Sequence, residues 1–300
     1  MTVPFFKCVG GKRKLVPELM KHVPAHFGAY HEPFVGGGAM WLGLYDAGRL
    51  DPKLHTVHLS DTNHHIIDTL VGLRDDVAGV IAKLKSHEAA HRADPKAYYY
   101  ATRALGGRGH GHGGAQATMH KEALAETTSS AAWFLYISKT CFNGLYRVNK
   151  SGAFNAPIGS YKADMVICDA DKLRAGSKAL QWTDIRQGPF TVSAAYVRKG
   201  DLVYYDSPYA PLSVTSNFTA YQKEGFGYDE QLALRDTALA LRKRGAHVIL
   251  SNSAAPMVYE LYAAGDMKKR FEIHEVQAAR AINSKGDKRG KITELIIVAR

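Results

Sequence analysis

Residues 30–50 decide the fold of this chain, and they read YHEPFVGGGAMWLGLYDAGRL. The first six residues form a short run typical of a strand, and three consecutive glycines follow directly. Residues 39–50 then place Met40, Leu44 and Ala47 on one stripe, which predicts a helix. A strand, a glycine turn and a helix in this order bring a backbone close to a nucleoside cofactor. The pattern GxGxxG is not met, so the cofactor need not be a dinucleotide.

The alternation of strands and helices continues along the chain. The runs 57–60 and 202–205 read as strands that end at Asp61 and Asp206. Further predicted elements are a helix at 229–244 and strands at 247–250 and 292–298. Strands that alternate with helices predict an α/β fold around a largely parallel sheet.

Residues 65–161 differ from this pattern, because they read mostly as helical patches, such as 75–84 and 122–136. A loop rich in glycine and histidine, near residues 105–120, separates these patches. Its histidines suggest a metal site, but so much glycine supplies no rigid support for metal ligands. We therefore expect a flexible, solvated insertion and no metal. The histidines are His110, His112 and His120.

Charge points to an acidic partner. The chain has 39 Lys and Arg against 28 Asp and Glu, a formal net charge of +11. Such a surplus favours nucleic acid, although many basic proteins bind nothing acidic. Residues 268–291 alone carry eight Lys and Arg against three Asp and Glu. Since the chain has no run of 18 apolar residues and its three cysteines are far apart, we expect no membrane span, no disulfide framework and a cytoplasmic protein.

Asp61 strengthens the cofactor interpretation. It lies 25 residues past Gly36, at the end of the next predicted strand. In doubly wound folds, an acidic residue at this place accepts hydrogen bonds from ribose hydroxyls. The alternative is a solvent-facing aspartate at a strand end. The glycine turn upstream favours the ribose role, and S-adenosylmethionine carries the same ribose as a dinucleotide.

A second chemical signal is the turn Asp206-Ser207-Pro208-Tyr209, directly after a predicted strand. Ligands of such folds bind outside the carboxyl ends of the strands. An exocyclic amine on a base is a poor nucleophile, because its lone pair is delocalised into the ring. A carboxylate and a backbone carbonyl aimed at its two N–H bonds would prepare it for attack, while the aromatic ring stacks on the base. A four-residue match is weak by itself, since an ordinary strand-end turn has the same composition.

The series of motifs resembles the Dam-type, D12 class DNA adenine-N6 methyltransferases, from about Phe6 to Val298. The motifs occur in the order that the family shows. The matching segments are KCVGGK (7–12), HEPFVGGG (31–38), LSDTN (59–63), FNGLYR (142–147), GAFNAP (152–157), GSY (159–161), DSPYAPLS (206–213), NFTAY (217–221), RAI (280–282) and EL (294–295).

This resemblance implies a Rossmann-like S-adenosylmethionine-dependent methyltransferase sheet with an inserted, mostly helical target-recognition domain. The catalytic methyltransferase domain would be discontinuous, with segments 1–64 and 162–300, and the DNA-binding target-recognition domain would comprise 65–161. The reaction would transfer a methyl group from S-adenosyl-L-methionine to N6 of an adenine flipped out of double-stranded DNA, in the sequence GATC. We expect a monomer in solution, and both a restriction–modification role and a solitary role fit.

The resemblance also assigns roles to residues, in three groups. The catalytic turn is Asp206, Ser207, Pro208 and Tyr209. The cofactor contacts are Cys8, Val9, Lys12, Glu32, Phe34, Gly36, Gly38, Asp61, Asp184, Ile185 and Asp206. The DNA contacts are Asn143, Leu145, Arg147, Asn149, Pro157 and Asn217, with Arg147 as the residue that reads guanine.

Two residues depart from the family's pattern. Cys8 stands where members often carry tryptophan, which makes one apolar cofactor contact smaller. Ser207 stands where the catalytic turn usually has its first proline, so the backbone carbonyl survives and the turn loses rigidity. Two alternatives stay open: a DNA-binding protein with a decayed catalytic site, and the same amine chemistry on RNA or a protein amide. The intact Asp206 and Tyr209 argue against the first, and the match of residues 142–161 to a DNA-reading segment argues against the second.

Overall fold

A computed structural model describes residues 12–105, 126–149, 152–161, 164–212, 226–279 and 291–300. Its strands are Tyr30–Glu32 (β1), Val57–Asp61 (β2), Thr183–Gln187 (β3), Leu202–Tyr205 (β4), His247–Ser253 (β5), Phe271–Ala279 (β6) and Lys291–Ala299 (β7). Its helices are Val16–Leu19 (α1), Ala39–Asp46 (α2), His64–Asp75 (α3), Val77–Ala93 (α4), Pro95–Leu105 (α5), Thr127–Thr140 (α6), Ala170–Leu180 (α7), Phe190–Ser193 (α8), Tyr228–Lys243 (α9), Pro256–Ala263 (α10) and Met267–Arg270 (α11). Within these ranges, no helix is long and apolar enough to cross a membrane.

The described strands form a seven-stranded sheet in the order β3-β2-β1-β4-β5-β7-β6. The pairs β1–β2, β1–β4 and β4–β5 are parallel, whereas β7 runs antiparallel to both β5 and β6. The prediction of a Rossmann-like α/β fold around a largely parallel sheet is therefore confirmed.

The sequence prediction missed two strands, β3 and β6, and both are edge strands of the sheet. β3 is short and polar, with the sequence TDIRQ, and β6 begins FEIHEVQ, in which charged and apolar residues alternate. An edge strand has a neighbour on one side only and tolerates charge, so its sequence lacks the apolar run that marks a central strand. The predicted helix at 39–50 ends instead at Asp46, and Gly48 then adopts a left-handed φ of 65°, which is a common way for a helix to stop.

The described chain divides into two compact units. One holds residues 36–42 and 63–187, and the other holds residues 12–35, 43–62 and 188–300, in each case within the described ranges. Residues 65–161, the predicted target-recognition domain, fall inside the first unit. Residues 162–187 belong to the same unit, and the assignment of domain roles stays a prediction.

The first unit has a helical core, as the sequence predicts for this segment. Almost every residue of α6 is buried, and Trp133 donates from its indole N–H to the carbonyl of Thr102 at 2.8 Å. The predicted patch at 75–84 begins with the last residue of α3 and continues into α4. Asp76 separates the two helices, and its carboxylate accepts from the backbone N–H of Gly79 at 2.9 Å. The predicted glycine- and histidine-rich insertion lies outside the described residues.

The second unit has an apolar core on the sheet. Strands β4, β5 and β7 contribute alternate side chains, and helices α9 and α10 cover them. Its fully buried members include Val203, Tyr205, Leu234, Leu241, Val248, Leu295 and Ile297. A parallel sheet is normally covered on its faces in this way, so its chemistry is left to the ends of the strands.

Candidate active site

Three acidic side chains mark the carboxyl ends of three adjacent parallel strands in the second unit. Glu32 ends β1, Asp61 ends β2, and Asp206 follows β4 directly. β1 lies between β2 and β4, with Tyr30 paired to Val57 on one side and to Leu202 on the other. The strand order therefore reverses at β1, and the crevice at such a reversal is where open α/β sheets bind ligands.

Asp206 is held by two donors on one of its oxygens. Lys12 Nζ lies 3.1 Å from Asp206 Oδ1, and the hydroxyl of Ser251 donates to the same oxygen at 3.0 Å. Ser251 is itself bonded to the hydroxyl of Tyr204 at 2.9 Å. The Asp206 side chain is 23% exposed and that of Lys12 is 8% exposed. The carboxylate thus points one fixed oxygen at its partners and leaves Oδ2 outside these contacts.

The pKa of Asp206 is raised above its ordinary value of 3.8, because burial disfavours the charged form. Lys12 and the Ser251 hydrogen bond act in the opposite direction and limit the rise. Both contacts favour the carboxylate form of Asp206.

Tyr209 is held by contacts to the face of its ring and to its hydroxyl. Lys12 Nζ lies 4.0 Å from the centroid of the ring, a cation–π contact, and the hydroxyl donates to Glu294 Oε2 at 2.9 Å. Burial raises the pKa of Tyr209 well above its ordinary value, so the phenol stays protonated. Lys12 therefore contacts both ends of the predicted catalytic turn.

Two buried amide side chains brace the backbone of that turn. Gln231 Nε2 donates to the carbonyl of Pro208 at 2.8 Å, and Asn252 Oδ1 accepts from the backbone N–H of Ala210 at 3.0 Å. The two amides are joined to each other, because Asn252 Nδ2 donates to Gln231 Oε1 at 3.0 Å. The hydroxyl of Ser253 donates to the carbonyl of Ala210 at 2.5 Å. Side chains thus hold three backbone atoms at the end of the turn, which has one proline.

Sequence reasoning missed these supporting residues. Ser251, Asn252 and Ser253 form a polar extension of β5 past the predicted end at residue 250, and all three are buried. Polar residues that continue a buried strand towards a ligand-binding edge were the available signal. Gln231 gave no such signal, because a glutamine on a helix is common on any solvated face.

Ser207 is buried, with 3% of its surface exposed, and its Oγ has no hydrogen-bond partner among the described residues. A buried hydroxyl without a partner costs about 1–3 kcal/mol. The departure from the family's proline is therefore visible in the structure as an unsatisfied polar atom beside Asp206.

The other cofactor candidates of the second unit have distinct surroundings. Glu32 is buried and accepts from the hydroxyl of Tyr30 at 2.7 Å, while Asp61 is half-buried. Phe34 belongs to an aromatic cluster, with ring centroids 5.5 Å from Phe190 and 5.6 Å from Phe226. The crevice end of β1 and β2 thus offers carboxylates beside an aromatic surface.

The remaining cofactor candidates belong to the first unit or lie outside the described residues. Gly36 and Gly38 have φ of 45° and 65°, a left-handed conformation that side chains disfavour, so the turn requires glycine there. On β3, Asp184 forms an ion pair with Arg186 at 2.8 Å, and Ile185 is half-buried. Cys8 and Val9 lie outside the described residues.

The predicted DNA-reading segment forms a small folded arm in the first unit. Single bridges join Cys141 to Ile158 and Val148 to Phe154 in antiparallel fashion. Asn143 has a left-handed φ of 56° at the start of the arm. Of the other predicted DNA contacts, Leu145 is half-buried, Asn149 and Pro157 are exposed, and Asn217 lies outside the described residues.

Arg147 is exposed on this arm and held by one neighbour. Its Nε donates to Asn155 Oδ1 at 2.7 Å, and its Nη2 donates to the carbonyl of Asn155 at 3.0 Å. A guanidinium has five N–H donors, so three remain outside these two bonds. The side chain is oriented while its outer edge keeps donors for a ligand.

Outside this arm, His64, His65 and Asp68 bring potential metal ligands within 4.8 Å of one another at the start of α3. Burial lowers the pKa of His65 to about 3, and its ring lies 4.6 Å from that of Trp133. The hydroxyl of Ser130 donates to Asp68 Oδ2 at 2.7 Å. These contacts are those of a neutral histidine packed in an aromatic core.

A sheet with a carboxylate, a lysine and a braced aromatic turn at its switch point fits an enzyme of the Rossmann-like methyltransferase class. The family description of the D12 class N6 adenine-specific DNA methyltransferases matches residues 9–282, and the chain belongs to this family. It is 36% identical to Type II methyltransferase M1.LlaDCHI of Lactococcus lactis subsp. cremoris, over 98% of this chain and 94% of that protein. It is 35% identical to Type II methyltransferase M.MjaIII of Methanocaldococcus jannaschii, over 98% of each. It is 30% identical to the DNA adenine methylase of Escherichia coli strain K12, over 97% of this chain and 93% of that protein.

Proposed function

We propose that this enzyme transfers a methyl group from S-adenosyl-L-methionine to N6 of an adenine that has been flipped out of double-stranded DNA. The observation that carries the proposal is the arrangement of Asp206 and Tyr209 around Lys12, at the carboxyl end of a central parallel strand. A base that is paired within a duplex cannot reach such a crevice, so the reaction requires the adenine to leave the stack.

Asp206 Oδ2 is the atom that accepts the first N–H of the adenine amine. Oδ1 is already bonded to Lys12 and Ser251, whereas Oδ2 takes no part in these contacts. The carbonyl of Pro208 accepts from Gln231, so the carbonyl of Ser207 is the acceptor that the turn offers to the second N–H. With both N–H bonds directed at acceptors, the nitrogen lone pair turns out of the ring plane towards the electrophile.

The nitrogen must lose a proton after it has gained the methyl group. Asp206 Oδ2 lies on that N–H bond in the proposed arrangement, and burial raises the pKa of Asp206. A raised pKa favours uptake of the proton by this carboxylate. Tyr209 holds the adenine ring by stacking, which is worth roughly 1–3 kcal/mol.

The residues at the switch point fit an adenosyl cofactor. Asp61 and Glu32 are carboxylates after adjacent strands, where ribose hydroxyls are bound in this class of fold, and Phe34 offers an aromatic edge nearby in sequence. S-adenosylmethionine would supply an electrophilic methyl group on a positively charged sulfur. Cys8, Val9, Gly36, Gly38, Asp184 and Ile185 are proposed as further contacts on the basis of the family resemblance.

Sequence choice is assigned to the arm around Arg147, and the proposed target is GATC. Arginine recognises guanine by donating to O6 and N7 together in the major groove. Because Asn155 uses only two of the five donors of Arg147, a bidentate contact with guanine is compatible with its position. Asn143, Leu145, Asn149, Pro157 and Asn217 are the further proposed DNA contacts.

The test is expression in a host that lacks adenine methylation, followed by sequencing that maps N6-methyladenine. The expected result is methyladenine in GATC with the wild-type chain and none with Asp206→Asn. Methylation at another sequence would refute GATC and leave the chemistry intact. Purified enzyme with radiolabelled S-adenosylmethionine and competing duplex DNA, RNA and protein would separate the alternatives, since label in RNA or protein alone would overturn the proposal.

A further inference from the structure

A basic cleft of about 460 Å³ opens on the second unit, away from the groups described above. Its charged lining residues are Arg242, Lys243, Arg270 and Arg300, and Leu239 and Ala240 complete the lining. Arg270 is the residue that the basic segment 268–291 contributes to this lining.

Three separate segments of the chain build this cleft. Arg242 and Lys243 lie in the last turn of α9, where the helix dipole favours cations. Arg270 ends α11, and its carbonyl accepts from the backbone N–H of Arg300 at 2.7 Å, just beyond β7. The cations are therefore brought together by the sheet and not by their spacing in the sequence.

Most of this charge has no acidic partner within the described ranges. Arg300 forms an ion pair with Glu272 at 2.9 Å. Among the described residues, Arg242, Lys243 and Arg270 form no ion pair. Like charges held in one cleft repel each other, so the arrangement is most favourable when an anion lies between them.

The cleft lies at the opposite end of the sheet from the catalytic turn. On β7, Glu294 pairs with Ser253 at the carboxyl end of β5 and holds Tyr209, whereas Val298 pairs with Ile249 towards the amino end. Arg300 lies six positions after Glu294, which corresponds to roughly 20 Å along an extended strand. A ligand that fills the cleft is therefore not in contact with the catalytic turn.

We propose that this cleft binds the sugar–phosphate backbone of duplex DNA outside the methylated site, an inference that rests on the proposed function. Guanidinium groups match phosphate geometry through paired hydrogen bonds, and such contacts carry no sequence information. The cleft offers three guanidinium groups and one ammonium, which can bond several phosphate oxygens at once. Its effect is to hold the enzyme on DNA between target sites.

The test compares two triple variants with the wild-type chain. The cleft variant carries Arg242→Gln, Lys243→Gln and Arg270→Gln, and leaves the ion pair of Arg300 intact. The matched control carries Lys53→Gln, Arg174→Gln and Lys178→Gln, which removes three exposed charges outside both the cleft and residues 65–161. Thermal melting first confirms that both variants are folded.

The readouts are binding to a duplex of about 60 base pairs without a target, across a salt series, and methylation of a duplex of about 14 base pairs with one target. For the cleft variant, we expect at least a tenfold weaker affinity for the long duplex. The slope of log affinity against log salt should fall by about 0.9 for each phosphate that the variant no longer neutralises. Methylation of the short duplex should stay within about twofold, and the control should match the wild type in both assays.

Equal binding of the long duplex by the cleft variant and the wild type would overturn the proposal, and so would equal weakening in the control. Titration with inorganic phosphate and with duplex RNA gives two further arms. If the cleft variant loses affinity only for phosphate or only for RNA, the cleft binds a small anion or RNA, and the proposal that it binds DNA is overturned. Failure of the wild type to methylate the short duplex would refute the proposed function alone. Binding of the long duplex would still test the proposal for the cleft.

Discussion

Replacing Tyr209 by phenylalanine separates the role of its ring from that of its hydroxyl. The substitution keeps the ring under Lys12 and deletes the hydroxyl, with its 2.9 Å hydrogen bond to Glu294. Because burial raises the pKa of Tyr209 well above its ordinary value, the hydroxyl is a donor at every pH of a methylation assay. The comparison between the two side chains is therefore not complicated by ionisation.

The expected cost in stability follows from the partner's charge and exposure. A hydrogen bond to a charged group contributes about 1.5–3 kcal/mol. Glu294 is half-buried and regains water when the hydroxyl is removed, so we expect Tyr209→Phe to lower the free energy of unfolding by about 1–1.5 kcal/mol. In a chain of this size, that corresponds to a fall of about 2 °C in Tm.

The expected effect on catalysis is smaller, because the ring face does the stacking. Tyr209→Phe should keep kcat/KM within about threefold of the wild type, whereas Tyr209→Ala removes a stacking interaction of roughly 1–3 kcal/mol. That loss corresponds to a fall of about 5- to 150-fold in kcat/KM. The assay is steady-state methylation of a short duplex, with melting curves measured on the same preparations.

Glu294→Gln is the matched control, since glutamine keeps an oxygen that accepts from the Tyr209 hydroxyl. In the double variant Tyr209→Phe with Glu294→Gln, the loss in free energy of unfolding should not exceed the sum of the losses in the two single variants. Both substitutions act on the same hydrogen bond. A hundredfold loss of kcat/KM in Tyr209→Phe, with Tm lowered by less than about 5 °C, would refute the reasoning and assign the hydroxyl to the chemistry.

The remaining predictions concern four positions. Asp206→Ala should lower turnover a hundredfold or more while the protein stays folded and binds DNA, and near-normal turnover would contradict its role. Since burial raises the pKa of Asp206, the methylation rate should fall on acidification at a pH above 3.8. Lys12→Met should move this fall in rate to higher pH, because Lys12 lowers the pKa of Asp206. Folding favours protonated Asp206, so the stability that this group contributes is lost as pH rises through its folded pKa. Ser207→Ala should raise the free energy of unfolding by about 1 kcal/mol by deleting an unpartnered hydroxyl, and Ser207→Pro should leave turnover equal or higher; a folded but inactive proline variant would show that serine is required. Arg147→Ala should cost roughly 1–3 kcal/mol at guanine alone, measured on GATC and its single-base variants, whereas a uniform loss would identify a phosphate contact.

The catalytic turn shows which part of the site can be predicted from residues at strand ends. Asp61 and Asp206 could be located from the sequence, because each directly follows a short apolar run and parallel strands present their carboxyl ends at one edge. The contacts that hold the turn could not. Gln231, Asn252 and Glu294 lie 21 to 85 residues from the groups they bind, and no local spacing predicts such pairs.

The sequence by itself determined the α/β class, the strand ends that carry the carboxylates and the family resemblance. These depend on apolar runs and short motifs, which are local properties of the chain. Only the tertiary structure decided the edge strands β3 and β6, the hydrogen bond that orients Arg147 through Asn155, and the gathering of Arg242, Arg270 and Arg300 in one cleft. Edge strands tolerate charge, and contacts between distant segments depend on strand register, so both arise only when the sheet has formed.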